Sequence, residues 1–460
     1  MRTVQTQSTE HETRDISREV SREAPSPGAT GRRHHPVTRI AWLTLGLFLM
    51  AMPQPTPAAD RGLLDLPVIR GCAWPFISDV QTLNAFYPDT NATYWVAPYI
   101  ALPGSQLIVQ GTYPNSRFMS LNTYDRLGQS VGAIYDAAIQ PDAGDTNPFV
   151  DPAAGPGGRF TVTIIPLRDP PQTLPDNTIP GSPLGPPQHS LAAQGYIVYR
   201  VYVPTDPSQL DGGEPIPSLT VVLNGRPIQT VEPCTETDDP TKLLALILLQ
   251  KRLAEGPTPP SPDPIPEAAF FLPEKATEGA FPNDFNVYLS AVITYQPGHI
   301  AVVRGKAPIA PDTRDGEPVT APQDLRYWSL CNNTNVFPFP VVACKADFET
   351  ARDGQGFYTY VVAAPEDLPA NAATDPTVTV LPWGSKEVEN ALLLRNMLPS
   401  ATFHQATQDV KATPNCSAPT VPPAQAAACA QGVMGAYYPT AFYCETHVYE
   451  AQGWQGCLPK

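Results

Sequence analysis

An acidic loop offers the clearest metal-binding chemistry in the sequence. Residues 142–151 (DAGDTNPFVD) place Asp142, Asp145, Asn147 and Asp151 within one short segment. Closely spaced carboxylate and amide oxygens in a loop are ligands that Ca²⁺ prefers. The full EF-hand pattern is missing, so a solvated acidic loop is the alternative. No nucleotide or haem motif is present, and Ca²⁺ is the only cofactor that the sequence suggests.

Two arginines are candidate ligand anchors. Arg117 in RFMSL and Arg326 in RYWSL precede aromatic or methionine residues, and Asp125 and Trp328 complete the predicted ligand-binding set. Arginine donates paired hydrogen bonds to carboxylates and other anions. The alternative is a buried ion pair inside each β domain. Because both arginines recur in equivalent segments, the recurrence favours this structural role.

Catalytic residues cannot be assigned from the sequence. There is no Gly-x-Ser-x-Gly elbow, and His189, His299, His404 and His447 are scattered candidate bases. Paired carboxylates for glycoside cleavage are defined by their separation in space, so the sequence does not identify them. Several tryptophans predict either a sugar-stacking platform or core packing. They are Trp74, Trp95, Trp328, Trp383 and Trp454.

The sequence has eight cysteines, all after the first 59 residues. An even number of cysteines in an exported chain predicts disulfides. Local spacing suggests Cys331–Cys344, Cys416–Cys429 and Cys444–Cys457, which leaves Cys72–Cys234 by elimination. A zinc site is a weaker interpretation, because no Cys-x-x-Cys pair occurs and histidine is sparse.

The elements that must position these residues occur twice. Four blocks match in the same order: residues 94–114 with 288–308, 117–121 with 326–330, 194–204 with 355–365, and 217–225 with 376–384. The second copy carries an inserted loop before Arg326. Collinear blocks at this spacing predict a tandem duplication of one domain. Residues kept in both copies are then expected to hold the fold, and chemistry is expected where the copies differ or in the groove between them.

The predicted fold class is mainly β. It comprises two tandem, related antiparallel β-sandwich or jelly-roll domains, each followed by a helix, with a disulfide-rich C-terminal extension. Apolar spacing places the two helices at residues 241–255 and 385–398. The predicted divisions are a targeting segment (1–59), copy one (60–255), a proline-rich linker (256–267), copy two (268–400) and the extension (401–460).

The segments NSRFMSLNTYD and DLRYWSL resemble uncharacterised exported bacterial proteins that contain two tandem jelly-roll domains of unknown function. The resemblance covers residues 85–400. It implies export and a double jelly-roll fold, and it provides no catalytic residue. The eight cysteines have no counterpart in this resemblance.

Charge and targeting signals limit the partners. The net charge of −15 argues against a nucleic-acid partner. Residues 40–52 are apolar, follow arginines and precede small residues, which predicts a signal segment cleaved near Ala58 or Ala59; a twin-arginine signal and a retained anchor are alternatives. No membrane span is expected after cleavage, and the protein is expected to be secreted, periplasmic or on the cell surface.

Two functions remain open at this point. The first is an exported protein that binds an unknown ligand, carbohydrate or an envelope component, without catalysis. The second is an extracellular hydrolase of carbohydrates or esters, with its site in a cleft between the copies. The sequence does not decide whether the protein is an enzyme.

Overall fold

A computed structural model describes residues 69, 71–166, 173–184, 193–254, 265–273 and 281–458. The predicted targeting segment, most of the predicted linker and His189 lie outside these residues. Four β-sheets dominate the described structure, and helices follow each pair of sheets. The prediction of a mainly β fold with sandwich-like sheets and a disulfide-linked C-terminal part is therefore confirmed.

The described residues of copy one form two five-stranded sheets and an α-helix. Its elements are β1 (Phe76–Ser78), β2 (Ala92–Ala101), β3 (Ser105–Thr112), β4 (Ser116–Asp125), β5 (Ser130–Tyr135), β6 (Arg159–Pro166), β7 (Thr178–Gly181), β8 (Ala193–Pro204), β9 (Ser218–Leu223), β10 (Arg226–Val231) and α1 (Pro240–Ala254). The sheet orders are β1-β2-β8-β4-β5 and β10-β9-β3-β6-β7. Among the described strands of copy one, only β6 and β7 pair in parallel.

Copy two and the C-terminal extension build the other two sheets. Their elements are β11 (Asn286–Ile293), β12 (His299–Lys306), β13 (Leu325–Thr334), β14 (Val341–Ala346), β15 (Phe357–Ala363), β16 (Val378–Pro382), β17 (Asn390–Pro399), α2 (Thr407–Ala412), α3 (Pro414–Ser417), α4 (Pro423–Met434), β18 (Thr440–Glu445) and α5 (Thr446–Gln452). The sheet orders are β11-β17-β13-β14 and β16-β15-β12-β18. β15 and β16 form the parallel pair here.

The strand order of copy two repeats that of copy one. In both copies the first long strand turns at a Pro-Gly pair into the second sheet, at Gly104 and Gly298, whose φ angles of +73° and +75° suit glycine. β18 lies beside β12, in the place that β9 takes beside β3. The C-terminal extension therefore completes a sheet of copy two.

Of the two predicted helices, the one in copy two was wrong. The segment predicted as a helix at residues 385–398 forms strand β17, which pairs with β11 and β13 on its two sides. Its residues from Asn390 to Met397 are buried, so the strand shows no alternation, and the apolar spacing that predicted a helix reflects burial on both faces. The helix predicted at residues 241–255 is confirmed as α1, whose Leu243 and Ile247 pack against the first sheet.

The last two matched sequence blocks pair strands that are not equivalent. Residues 194–204 form β8, the central strand of the first sheet, whereas residues 355–365 contain β15 of the second sheet of copy two. By topology β8 corresponds to β17, and this pairing matches Arg200 with Arg395 and Pro204 with Pro399. The blocks matched because buried strands share similar apolar and aromatic composition.

Each pair of sheets encloses its own core. Trp95, Val109 and Ile197 belong to the core of copy one, and Leu289, Val303 and Leu394 belong to that of copy two. A smaller buried cluster joins the copies through Phe118 and Tyr202 from copy one with other residues from copy two. These other residues include Tyr327, Ala346 and Met397.

Candidate ligand-binding site

Arg117 and Arg326 form ion pairs that cross between the copies. The Nη1 atom of Arg117 lies 2.5 Å from Oδ1 of Asp347 in copy two, and that of Arg326 lies 3.1 Å from Oδ1 of Asp136 in copy one. Arg117 is fully buried and Arg326 is 8% exposed. The alternative to ligand binding was a buried ion pair inside each β domain. The ion pairs are buried, but they join the two copies. Ligand binding by the two arginines stays a prediction.

The two aspartates are equivalent in the fold. Asp136 accepts a hydrogen bond from the Met119 amide, and Asp347 accepts one from the Trp328 amide. Burial raises the pKa of both carboxyls above the usual value, and the charge of the opposing arginine offsets part of this rise. Both carboxylates thus connect the start of a strand in their own copy to an arginine of the other copy.

The other two predicted ligand-binding residues have local structural contacts. The Oδ1 atom of Asp125 accepts hydrogen bonds from the amides of Leu127 and Gln129 and so closes the β4–β5 turn. Trp328 is fully buried, and its indole donates to the carbonyl of Pro308 at 3.0 Å. A role of Asp125 or Trp328 in ligand binding stays a prediction.

The four side chains of the predicted calcium loop each bind a different group of the protein. Asp142 accepts from the Thr161 hydroxyl, Asp145 pairs with Arg159 at 2.9 Å, and Asn147 donates to the carbonyls of residues 136 and 139. Asp151 caps its own turn through the amide of residue 153. Within the described ranges, the only His, Cys, Asp or Glu cluster with metal-ligand spacing is Asp89, Cys331 and Cys344, and its two sulfurs are bonded to each other. Calcium binding stays a prediction that this geometry does not favour.

All eight cysteines form disulfides, and the four pairs are those suggested by spacing and elimination. They are Cys72–Cys234, Cys331–Cys344, Cys416–Cys429 and Cys444–Cys457. Cys444–Cys457 joins β18 to the segment that carries Trp454. This disulfide therefore positions a tryptophan near the surface of copy two.

Sequence reasoning missed two central arginines of the inter-copy region. Arg395 on β17 donates to the carboxylate of Asp89, which belongs to the segment before β2 of copy one. The same carboxylate accepts from the hydroxyls of Tyr327 and Ser329, both at 2.8 Å. Arg395 also donates to the Tyr87 carbonyl at 3.2 Å. The pKa of Arg395 is raised well above its usual value: burial alone would lower it, but the Asp89 carboxylate outweighs that effect.

Arg200 on β8 has the equivalent place but different partners. It donates to the carbonyl of Phe281 and to Oδ1 of Asn122, both at 2.7 Å. The residue at the position of Asp89 is Asn283, because both precede a matched tyrosine by the same spacing. Within the described chain no carboxylate lies in ion-pair contact with Arg200. Matching β8 with β17 would have revealed the equivalent arginines, and extending the first matched block upstream would have revealed the change from Asp89 to Asn283.

Trp454 lies at a solvent-accessible cavity on the outer side of copy two. The other four candidate tryptophans are buried and pack in the cores, whereas Trp454 is half-buried. The cavity has a volume of about 380 Å³ and lies over β12, β15 and β16. Its polar wall includes Arg304, Asp353, Gln355, Asn371, Asp375, Thr377 and Gln455.

Strand alternation positions Arg304 in this wall. Ala301 and Val303 on β12 face the core, so Arg304 faces the opposite side of the sheet together with Val302. Its guanidinium lies 4.2 Å from the centre of the Trp454 ring and pairs with Asp353 at 2.5 Å. The hydrogen bond from Arg304 holds the pKa of Asp353 below its usual value. The cavity therefore presents a fixed cation, a carboxylate and an aromatic ring together.

The sequence contained a signal for Arg304. In the first matched block, Arg304 of copy two aligns with Gln110 of copy one. The expectation that chemistry lies where the copies differ applies to this position. The imidazole of His299, which differs from Ser105 in the same block, lies 3.2 Å from the carbonyl of Pro297.

Comparison with known proteins gives structural neighbours but no family. No family model matches the chain, and no curated protein matches it. The chain is similar to an uncharacterised protein from Burkholderia cenocepacia, with 10% identity and a TM-score of 0.44 over 82% of this chain and 84% of that one. It is also similar to a protein from Vibrio parahaemolyticus, with 12% identity and a TM-score of 0.32 over 67% of this chain and 85% of that one. No helix in the described part is long and apolar enough to cross a membrane.

Proposed function

We propose that the protein is an exported binding protein that takes a carbohydrate in the Trp454 cavity. The observation that carries this proposal is the composition of the cavity wall. A ring, an arginine and several amide, hydroxyl and carboxylate groups line a space of about 380 Å³. Sugars present hydroxyls that both donate and accept hydrogen bonds, and they present apolar faces to aromatic rings.

The rigidity of the wall supports binding. Arg304 lies between the rings of Phe357 and Trp454 and donates to Thr359 at 2.7 Å. Side chains already held by neighbours lose little freedom when a ligand binds. The four disulfides support export, because such bonds persist in oxidising compartments.

Glycan binding by the purified protein tests this proposal. We expect saturable binding of at least one glycan on an array, followed by titration calorimetry. Trp454→Ala and Arg304→Gln should each weaken that binding about tenfold or more, which corresponds to about 1.4 kcal/mol. Arg304→Gln introduces the residue found at the aligned position of copy one.

The matched control is Phe337→Ala, since Phe337 is an exposed aromatic residue that does not line the cavity. This variant should bind like the parent protein. Equal binding by the Trp454→Ala variant and the parent would rule out the cavity as the glycan site.

A second candidate function is glycoside hydrolysis, because two carboxylates, Asp353 and Asp375, line the same cavity. Such enzymes use a carboxylate pair on either side of the scissile bond. Release of reducing sugar from a bound glycan, abolished in Asp375→Asn, would establish catalysis. Binding without release would support the binding protein.

A further inference from the structure

Strand β18 carries an unpaired edge on the second sheet of copy two. It pairs on one side with β12, and no strand of the described chain pairs with its other side. In copy one the corresponding strand β9 pairs with β3 on one side and with β10 on the other. The chain turns back after β9 to form β10, whereas after β18 it enters α5. Copy two therefore lacks a strand at a position that copy one fills.

The register of the sheet shows which backbone groups of β18 face the open side. The amide of Thr446 donates to the carbonyl of Gly298, which makes these residues a hydrogen-bonded pair at the end of the ladder between β12 and β18. Hydrogen-bonded and non-hydrogen-bonded pairs alternate in an antiparallel ladder, so Ala441 and Tyr443 direct their amides and carbonyls away from β12. These backbone groups have no partner in the part of the chain that the structure describes. Both residues are partly exposed.

Copy one shows what binds at such an edge. Leu219 and Val221 of β9 pair antiparallel with β10. In the register of each sheet, these two residues lie at the positions of Ala441 and Tyr443. The fold therefore accommodates a further antiparallel strand at this position.

β18 lacks the features that protect exposed edges. Proline, lysine and bulges are common means by which proteins keep an edge strand from pairing with another chain. β10, an edge strand of copy one, contains Pro227 with a shift of register beside it. β18 has the sequence TAFYCE, without proline or lysine, and it pairs with β12 without a shift. Its edge is therefore open to a further strand.

We propose that this edge pairs with the same edge of a second copy of the chain, so that two β18 strands join their sheets in a dimer. A two-fold axis perpendicular to the sheet makes the two strands antiparallel, which is the direction that β10 takes beside β9. When the axis passes beside Phe442, Ala441 of each protomer lies opposite Tyr443 of the other, and about four backbone hydrogen bonds form.

The side chains of β18 are compatible with this pairing. Phe442 faces its own counterpart across the axis, and aromatic pairs on neighbouring strands are stabilising. Glu445, the charged residue of β18, lies outside these pairs, so no like charges oppose each other. No residue of β18 lines the Trp454 cavity, so this interface is independent of the proposed glycan site.

Sedimentation velocity of the full chain over a range of concentrations tests the proposal. We expect a monomer–dimer equilibrium with a micromolar Kd, because a single strand edge buries a small interface. The measurement uses about 0.15 M salt, which screens the repulsion between two acidic chains beyond about 8 Å. Ala441→Pro removes an outward amide and leaves the hydrogen bonds to β12 in place, so it should weaken the dimer at least about tenfold.

The matched control is Ile228→Pro, since Ile228 is an exposed residue of the edge strand β10. This variant should dimerise like the parent protein. Hydrogen exchange of the parent needs no substitution: a peptide that contains Ala441 and Tyr443 should exchange more slowly as the protein concentration rises. The proposal is overturned if the full chain stays monomeric throughout the range, if only Ile228→Pro dissociates the dimer, or if exchange at β18 is independent of concentration.

Discussion

The carboxylate of Asp89 and the amide of Asn283 occupy equivalent positions, yet only the carboxylate faces a charged partner. Asp89 neutralises Arg395 inside the inter-copy region, where both side chains are at most 1% exposed. Arg200 instead relies on neutral acceptors, Asn122 and the Phe281 carbonyl. Composition and local motifs cannot reveal such contacts, because the partners are far apart in the sequence and Asp89 and Arg395 come from different copies.

Replacing Asp89 with asparagine tests the importance of this pair. The Asp89→Asn protein should lose about 3–5 kcal/mol of unfolding free energy, because Arg395 stays charged and buried without its counter-ion. Urea unfolding monitored by fluorescence measures the loss. Asp145→Asn is the control, since its partner Arg159 is 71% exposed and such pairs contribute about 1 kcal/mol or less. A loss no greater than that of the control would contradict the assigned role of Asp89.

At the scale of single elements, local patterns predicted most strands, including the fully buried β4 and β13, but failed at β17. The alternation in β3 and the Pro-Gly turns were readable from the sequence, as was α1 with its stripe of buried leucine and isoleucine. β17 is covered on one face by the core of copy two and on the other by copy one, so its apolar run does not alternate and was interpreted as a helix. The Trp454 cavity was predictable only in part, because its groups come from β12, from loops and from the extension.

Hydrogen exchange tests the assignment of β8 and β17 as central strands. Each pairs with a neighbour on both sides, so their amides should exchange among the slowest in the protein. Mass-spectrometric exchange measures this by peptide. The edge strand β10, which pairs only with β9 and is mostly exposed, provides the fast comparison. Exchange of β17 as fast as that of β10 would contradict the strand assignment.

At the scale of the whole molecule, each copy supplies arginines that bind carboxylates or backbone carbonyls of the other copy. Arg117 pairs with Asp347, and Arg326 pairs with Asp136. In the same reciprocal way, Arg395 donates to the Tyr87 carbonyl and Arg200 donates to the Phe281 carbonyl. The duplication in the sequence predicted two similar domains with separate interiors. It did not predict this exchange, because an alignment of the copies shows which positions correspond and not which ones touch.

The four disulfides should contribute unequally to stability. Cys72–Cys234 joins residues 162 apart, whereas Cys416–Cys429 joins residues 13 apart. Because a cross-link that closes a longer loop restricts the unfolded chain more, the long bond should contribute about 5 kcal/mol and the short one about 3 kcal/mol. Denaturant unfolding of the two double cysteine-to-serine variants measures these values. A larger loss from removing the short bond would refute this ordering.

The reciprocal contacts give one chain the geometry of an isologous dimer, in which each half presents the same patch to the other. In a true homodimer, one substitution at the Asp89 position would alter both symmetry-related sites at once. Here the two halves are encoded separately, so the carboxylate is present at the Arg395 site while an amide, Asn283, stands at the equivalent position of the other copy. The covalent joining of the copies thus allows one interface site to hold a buried ion pair, while the arginine of the equivalent site has only neutral acceptors among the described residues.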